Sequence, residues 1–163
     1  MKRFGVVGWK NAGKTGLMER LVAEFTARGV RVSTLKHAHH AFDVDHEGKD
    51  SWRHRAAGAQ EVLVAGGKRW TLMAELREAE EPPLETLISK MTPMDLLLIE
   101  GWKRETHPKI EAWRAETENT LIAPSDPSIR AVASDAPVET ALPTFDLNDT
   151  AAIADFIARE IDL

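Results

Sequence analysis

Apolar residues recur along the chain in two periods, and their alternation predicts the fold class. Phe4, Val6 and Val7 mark a short strand over residues 2–7. After a polar, glycine-rich interval, Leu17, Leu21, Val22 and Phe25 recur at helical spacing, with Gly29 as a stop. Residues 30–35 read as a second strand, and a strand–helix–strand crossover of this length implies a parallel pair. Residues 36–51 make a polar loop. Ser51 is placed to cap a short helix over 52–57, ended by Gly58. Residues 60–65 and 70–76 flank Gly66-Gly67-Lys68-Arg69 and predict a hairpin. Pro82-Pro83 leads into a helix over 84–91 with Leu84, Leu87, Ile88 and Met91 on one face.

The unbroken apolar run Leu96–Ile99 fits a central parallel strand covered on both faces. Residues 109–114 alternate and predict a half-exposed strand, and 120–123 another short one. Residues 129–134 form a strand ending at Asp135, and 144–147 a last short one. Asn148 or Asp149 caps a final helix that buries Ile153, Phe156, Ile157 and Ile161. The expected class is α/β, a largely parallel twisted sheet flanked by helices with antiparallel hairpin additions. No linker interrupts residues 1–163, so a single domain is expected.

The 163 residues suffice for one domain with a core. A net charge of -5 gives nucleic-acid binding no electrostatic support. The absence of cysteine removes disulfides, thiolate metal sites and cysteine nucleophiles together. No apolar run approaches the ~20 residues that span a bilayer. The start Met1–Phe4 enters a strand with no signal-peptide core behind it. A cytoplasmic protein without membrane or nucleic-acid partners is the expectation.

The interval between first strand and first helix reads Gly8-Trp9-Lys10-Asn11-Ala12-Gly13-Lys14-Thr15. It fits G-x-x-x-x-G-K-[ST] in the required strand–loop–helix order, making the fold P-loop NTPase-like. The glycines let successive N–H groups curl around phosphate oxygens. Lys14 adds charge for the outer phosphates, Thr15 offers a hydroxyl to Mg²⁺, and the helix start at Gly16 adds its positive end. Gly8, Lys10, Asn11, Ala12, Gly13, Lys14, Thr15 and Gly16 are the candidate nucleotide contacts. Lys10 either neutralises charge on a transferred phosphate or points into water.

Ligands of doubly wound sheets sit beyond the carboxyl ends of the strands. That filter collects the glycine loop, the histidine-rich loop after the second strand, Glu100 and Asp135. Glu100, closing a long apolar strand, takes the Walker-B position beside Mg²⁺. Asp45 either joins it, as a metal ligand or by orienting water, or is plain surface. Lys14, Asp45 and Glu100 are the candidate catalytic set, and Thr15, Glu100 and Asp45 the metal set. Asp135 is either a turn residue ahead of Pro137 or a base reader, since a carboxylate matches guanine's paired donors and adenine has none. His37, His39, His40, His46 and His54 are five of the six histidines. Their spacing does not favour zinc, and with Lys36 and Lys49 they suit an anionic ligand. Trp9 and Trp102 fall at the site's edge, where a flat ring either covers a planar ligand or packs. Core or dimer-interface packing is expected for Trp52, Trp70 and Trp113.

Taken in order, GWKNAGKT, Lys36-His37-Ala38-His39-His40, the 45–51 segment DHEGKDS, Ala57-Gly58-Ala59, Arg69-Trp70, Leu98-Ile99-Glu100-Gly101-Trp102-Lys103 and Val132-Ala133-Ser134-Asp135 resemble the MobB family, molybdopterin-guanine dinucleotide biosynthesis protein B. The resemblance covers nearly the whole chain. It implies a GTP-binding protein with weak GTPase activity, Mg²⁺ as cofactor, and a homodimer whose sheets join across the interface. It implies a partner, the MobA guanylyltransferase, which transfers GMP to the molybdenum-bound pterin. It implies Gly13, Lys14 and Thr15 as phosphate and metal contacts, Glu100 as the Walker-B acid, and Asp135 as a guanine contact. The wider deviant-loop class puts a lysine directly after the first glycine; Trp9 stands there instead. Two other readings stay open: a P-loop small-molecule kinase, and a nucleotide-controlled binding module without useful hydrolysis.

Overall fold

In chain order the elements are β1 (Lys2–Val7), α1 (Lys14–Ala27), β2 (Val32–Lys36), α2 (Asp50–Ala56), β3 (Glu61–Ala65), β4 (Trp70–Ala74), α3 (Leu84–Ser89), β5 (Leu96–Glu100), β6 (Lys109–Trp113), β7 (Ile129–Ser134), β8 (Thr144–Asp146) and α4 (Thr150–Glu160). They come from a computed structural model that describes residues 1–38 and 42–163; His39, His40 and Ala41 lie outside the described residues. The chain forms two compact units, Met1–Ala38 with Pro93–Leu163, and His39–Thr92.

The first unit holds a six-stranded sheet in the order β2-β5-β1-β6-β7-β8. Every neighbouring pair is parallel. The carboxyl ends of β1, β2, β5 and β7 therefore share one edge, as the strand-end filter requires. The apolar run of β5 is buried at all five positions between β2 and β1. One face of the sheet is covered by helices. Leu17, Leu21 and Phe25 of α1 and Ile153 and Ile157 of α4 join Phe4, Val6, Leu96, Leu98 and Ile110 in one cluster. Each such side chain contributes about 1.5–3 kcal/mol by leaving water. Asp149 caps α4, its Oδ1 accepting from the Ala152 N–H at 3.1 Å.

The opposite face is built differently. Val7, Ile129 and Val132 meet Ala123 and, partly buried, Trp113, Leu121, Ile122, Val138 and Leu142. Most of this cover is loop. The charged side chains of β6 anchor it. Lys109 and Glu111 are fully buried. The Glu111 carboxylate accepts from the N–H groups of Ile122 and Ala123, the latter at 2.8 Å. Burial pushes the Glu111 carboxyl up, opposed by those N–H donors and by Lys103. The Lys109 ammonium donates to the carbonyls of Lys103 and Glu105, to Ser128 Oγ and to Asp126 Oδ2.

These anchors correct two sequence expectations. Residues 109–114 are not a half-exposed strand: β6 lies between β1 and β7, and its alternating charges are satisfied internally. Residues 120–123 are not a strand either. Trp113 Nε1 donates to the Asn119 carbonyl and Trp9 Nε1 to that of Thr120, while Glu111 takes the next N–H groups. Side chains thus consume the polar groups that a sheet ladder needs.

In the second unit, β3 and β4 pair antiparallel from Glu61↔Ala74 to Ala65↔Trp70, closed by Gly66 N–H to the Arg69 carbonyl at 2.9 Å. The helix expected at 52–57 starts earlier, so Ser51 lies inside α2 rather than capping it. Ser51 Oγ instead donates to Asp45 Oδ1 at 2.8 Å. The Arg55 guanidinium gathers Asp43 at 2.8 Å, Glu75 at 2.7 Å and Asp45 at 3.2 Å. Trp70 is 63% exposed, so of the two expected roles it does not take core packing within this unit.

Candidate functional site

The glycine loop bends out of β1 at a position only glycine fits. Gly8 has φ 149°, and a Cβ there would lie 2.4 Å from the Ala112 carbonyl oxygen of β6. Gly13 has φ 90° at the N-cap of α1, where a Cβ would meet Leu147 Cδ2 at 2.9 Å and Arg114 Nε at 3.0 Å. No side chain caps this helix start. The N–H groups of Lys14, Thr15 and Gly16 precede the first intrahelical bond, from Leu17 N–H to the Gly13 carbonyl at 3.0 Å. They border a cleft of about 350 Å³ lined by residues 11–16, Arg114 and Glu116. Such a helix start suits an anion. Lys10 is exposed on the crest of the loop.

On the β5 side of the loop the charges are already assembled. Glu100 is buried at the end of β5. Its Oε1 lies 3.4 Å from the Thr15 hydroxyl and 3.2 Å from the Lys36 ammonium. The register explains the second contact, because Lys36 and Glu100 are direct partners in the β2–β5 ladder. Lys14 Nζ donates to the Trp9 carbonyl at 2.6 Å. Burial pulls the Lys14 ammonium below its ordinary pKa, with Lys103 and Lys36 adding to the shift and Glu100 opposing it.

Thr15 and Glu100 are adjacent hard oxygen donors, a set that fits Mg²⁺. Among the described residues no group of three or more histidines, aspartates or glutamates could hold a metal ion. The remaining ligands of such an ion would have to be water and phosphate oxygens, its usual shell.

The chain leaves β5 through two left-handed residues, Gly101 at φ 89° and Trp102 at φ 54°. The second is uncommon for a non-glycine residue and costs on the order of 1–3 kcal/mol. It seats the Trp102 ring 4.7 Å from that of His37. Lys103 then places its ammonium 4.0 Å from the centre of the Trp9 ring. The Trp9 indole N–H donates to the Thr120 carbonyl at 2.8 Å. Trp9 is therefore tied to two loops.

On the other side of the loop, Asp135 is exposed just beyond β7. Its Oδ1 accepts from the Ala115 N–H at 2.9 Å. It also borders a cleft of about 300 Å³ lined by residues 134–138 and 144–146. Asp45 belongs to the second unit. Burial disfavours its charge, but the Ser51 hydroxyl, the His46 N–H and Arg55 together hold its pKa below the ordinary value. His46 and His54 are exposed in that unit, and His39 and His40 lie outside the described residues.

The structure thus gathers Gly8, Asn11, Ala12, Gly13, Lys14, Thr15, Gly16 and Glu100, with Asp135 on the same sheet edge. Lys103 and Arg114 were missed in the sequence. Both sit at carboxyl ends of parallel strands. The filter would have flagged Arg114 had residues 109–114 been placed inside the sheet.

A family model described as MobB, molybdopterin guanine dinucleotide synthesis protein B, matches residues 4–135. The molybdopterin-guanine dinucleotide biosynthesis adapter protein of Escherichia coli (strain K12) is 41% identical over 157 residues, covering 93% of this chain and 88% of its own. The protein of the same name from Haemophilus influenzae is 40% identical over 154 residues, covering 94% and 86%. Among solved structures, a MobB protein homolog from Bacillus stearothermophilus matches with TM-score 0.73 at 31% identity, covering 99% of both chains.

Proposed function

Because the chain belongs to the MobB family, we propose that it is a GTP-binding adapter in the formation of molybdopterin guanine dinucleotide. The observation that carries the nucleotide part is the joining of loop and acid: Thr15 and Glu100 meet across β1 and β5 beside an uncapped helix start. In this reading the N–H groups of residues 13–16 hold the phosphates, and Lys14 exchanges the Trp9 carbonyl for the outer phosphate oxygens. Thr15 and Glu100 hold Mg²⁺. The ion, when bound, neutralises phosphate charge. Asp135 reads the guanine through the oxygen not given to Ala115, and exposed Lys10 contacts a phosphate.

Hydrolysis is slow at most. Glu100 Oε1 is already engaged by Lys36 and Thr15, so it is not free to orient an attacking water. Slow turnover suits an adapter, the word by which the Escherichia coli and Haemophilus influenzae relatives are named. The partner is a MobA-type guanylyltransferase, the working form a homodimer and the compartment the cytoplasm. Among the described residues no helix is long and apolar enough to cross a membrane.

Calorimetric titration with GTP and then ATP, each with Mg²⁺, tests the reading. GTP binding with little ATP binding supports it. Equal or preferred ATP binding removes the guanine assignment and brings a small-molecule kinase forward. Co-purification with the guanylyltransferase, with and without GTP, then separates an adapter from a nucleotide switch lacking that partner.

A further inference from the structure

The order of strands gives the glycine loop a direction. β1 carries the loop, β5 flanks it on one side and β6 on the other. The metal donors Thr15 and Glu100 lie toward β5. A phosphate chain whose metal-bound, terminal end lies there must send its nucleoside-proximal end toward β6. The residue following β6 is Arg114.

Arg114 is built to stay there. Its carbonyl accepts from the Thr117 N–H at 3.1 Å and the Thr117 hydroxyl at 2.8 Å. The next residue is pinned in turn by Asp135, through the Ala115 N–H at 2.9 Å. From this fixed backbone the side chain crosses the start of α1, close enough that a Cβ on Gly13 would meet its Nε at 3.0 Å. That Nε is buried and has no hydrogen-bond partner among the described residues. Part of the fork is lightly engaged: Nη1 meets Glu116 at 3.3 Å, at the exposed rim. An arginine that lines this cleft beside a helix N-terminus, with its Nε packed against the loop and its terminal nitrogens engaged only at the rim, is placed to clamp an anion.

We propose that Arg114 binds the nucleoside-proximal (α) phosphate of the nucleotide, and that Asp135 helps position it through Ala115. The proposal rests on the nucleotide-binding reading above but not on which base is bound. Removing a charged hydrogen bond to phosphate weakens binding by about tenfold or more.

The test titrates wild type, Arg114→Gln and Arg114→Lys with GTP, GDP and inorganic pyrophosphate, all with Mg²⁺. Pyrophosphate fills the loop but has no α-phosphate. Arg114→Gln is expected to lose about tenfold for GTP and GDP, to keep wild-type affinity for pyrophosphate, and to melt with wild type. Arg114→Lys, which keeps the charge but not the fork, is expected to fall between them. Wild-type GTP affinity in Arg114→Gln overturns the proposal, as does an equal loss for GTP and pyrophosphate, which would mean Arg114 only shapes the loop. If wild type prefers ATP, the guanine reading fails while the same comparison with ATP and ADP still decides Arg114. If wild type binds neither nucleotides nor pyrophosphate, both fall together.

Discussion

The two flanks of the glycine loop are organised on different principles. On the β5 flank, side chains from three elements converge directly: Thr15, Glu100 and Lys36 share one carboxylate oxygen. On the β6–β7 flank, side chains grip backbone instead. Asp135 holds the Ala115 N–H, Trp9 the Thr120 carbonyl, and Glu111 the N–H groups of Ile122 and Ala123. The first arrangement concentrates charge where a metal and terminal phosphates would sit. The second fixes loop shape where a nucleoside would sit, and Arg114 and the second oxygen of Asp135 are the contacts proposed for it there.

The largest effect should come from the residue serving both flanks. Lys14→Ala is expected to weaken GTP binding by about a hundredfold while the melting temperature holds; unchanged affinity in calorimetry would remove the glycine loop from the site. Glu100→Gln should break the β5 flank alone. It should cost about tenfold in affinity with Mg²⁺ and little when the metal is chelated. An unaltered Mg²⁺ dependence would take Glu100 out of the metal shell. Asp135→Asn should act on the other flank, cutting the preference for GTP over ATP by about fivefold. An intact preference would assign base reading to another group.

The smallest effect should come from the opposite edge of the sheet. There Arg31 grips Asp95 ahead of β5 and, with its side chain first and its N–H second, holds the Asp95 pKa at about 2. A depressed carboxyl contributes stability that is whole above its unfolded pKa of about 4 and is lost as pH falls through 2. Arg31→Ala should return the Asp95 titration, followed by carboxyl NMR, toward about 4 and leave GTP affinity unchanged. A change in affinity would show that the two edges are coupled.

The helix-covered face was legible because its chemistry is local. Leu17, Leu21, Phe25, Ile153 and Ile157 repeat at helical spacing, and Asp149 stands where a cap must. The loop-covered face was not. Alternating charge in residues 109–114 signals exposure when read alone, yet Lys109 and Glu111 are buried because loops distant in sequence satisfy them. The gathering of Asp43, Asp45 and Glu75 around Arg55 was equally hidden, since its acids lie up to twenty positions from the arginine.

The sequence by itself determined the glycine loop, the order of strands and helices along the chain apart from residues 120–123, and the acid at the end of the apolar strand. Each rests on spacing within a few residues: φ-permissive glycines, a 3.6-residue period, and a run that tolerates no water on either face. Tertiary structure alone decided which strands are neighbours. That choice set Lys36 beside Glu100 and placed β6 against β1. It turned Arg114 from one more charged residue into a donor at the mouth of the cleft. Strand adjacency depends on crossovers and buried charge pairs that span much of the chain, and no local period records them.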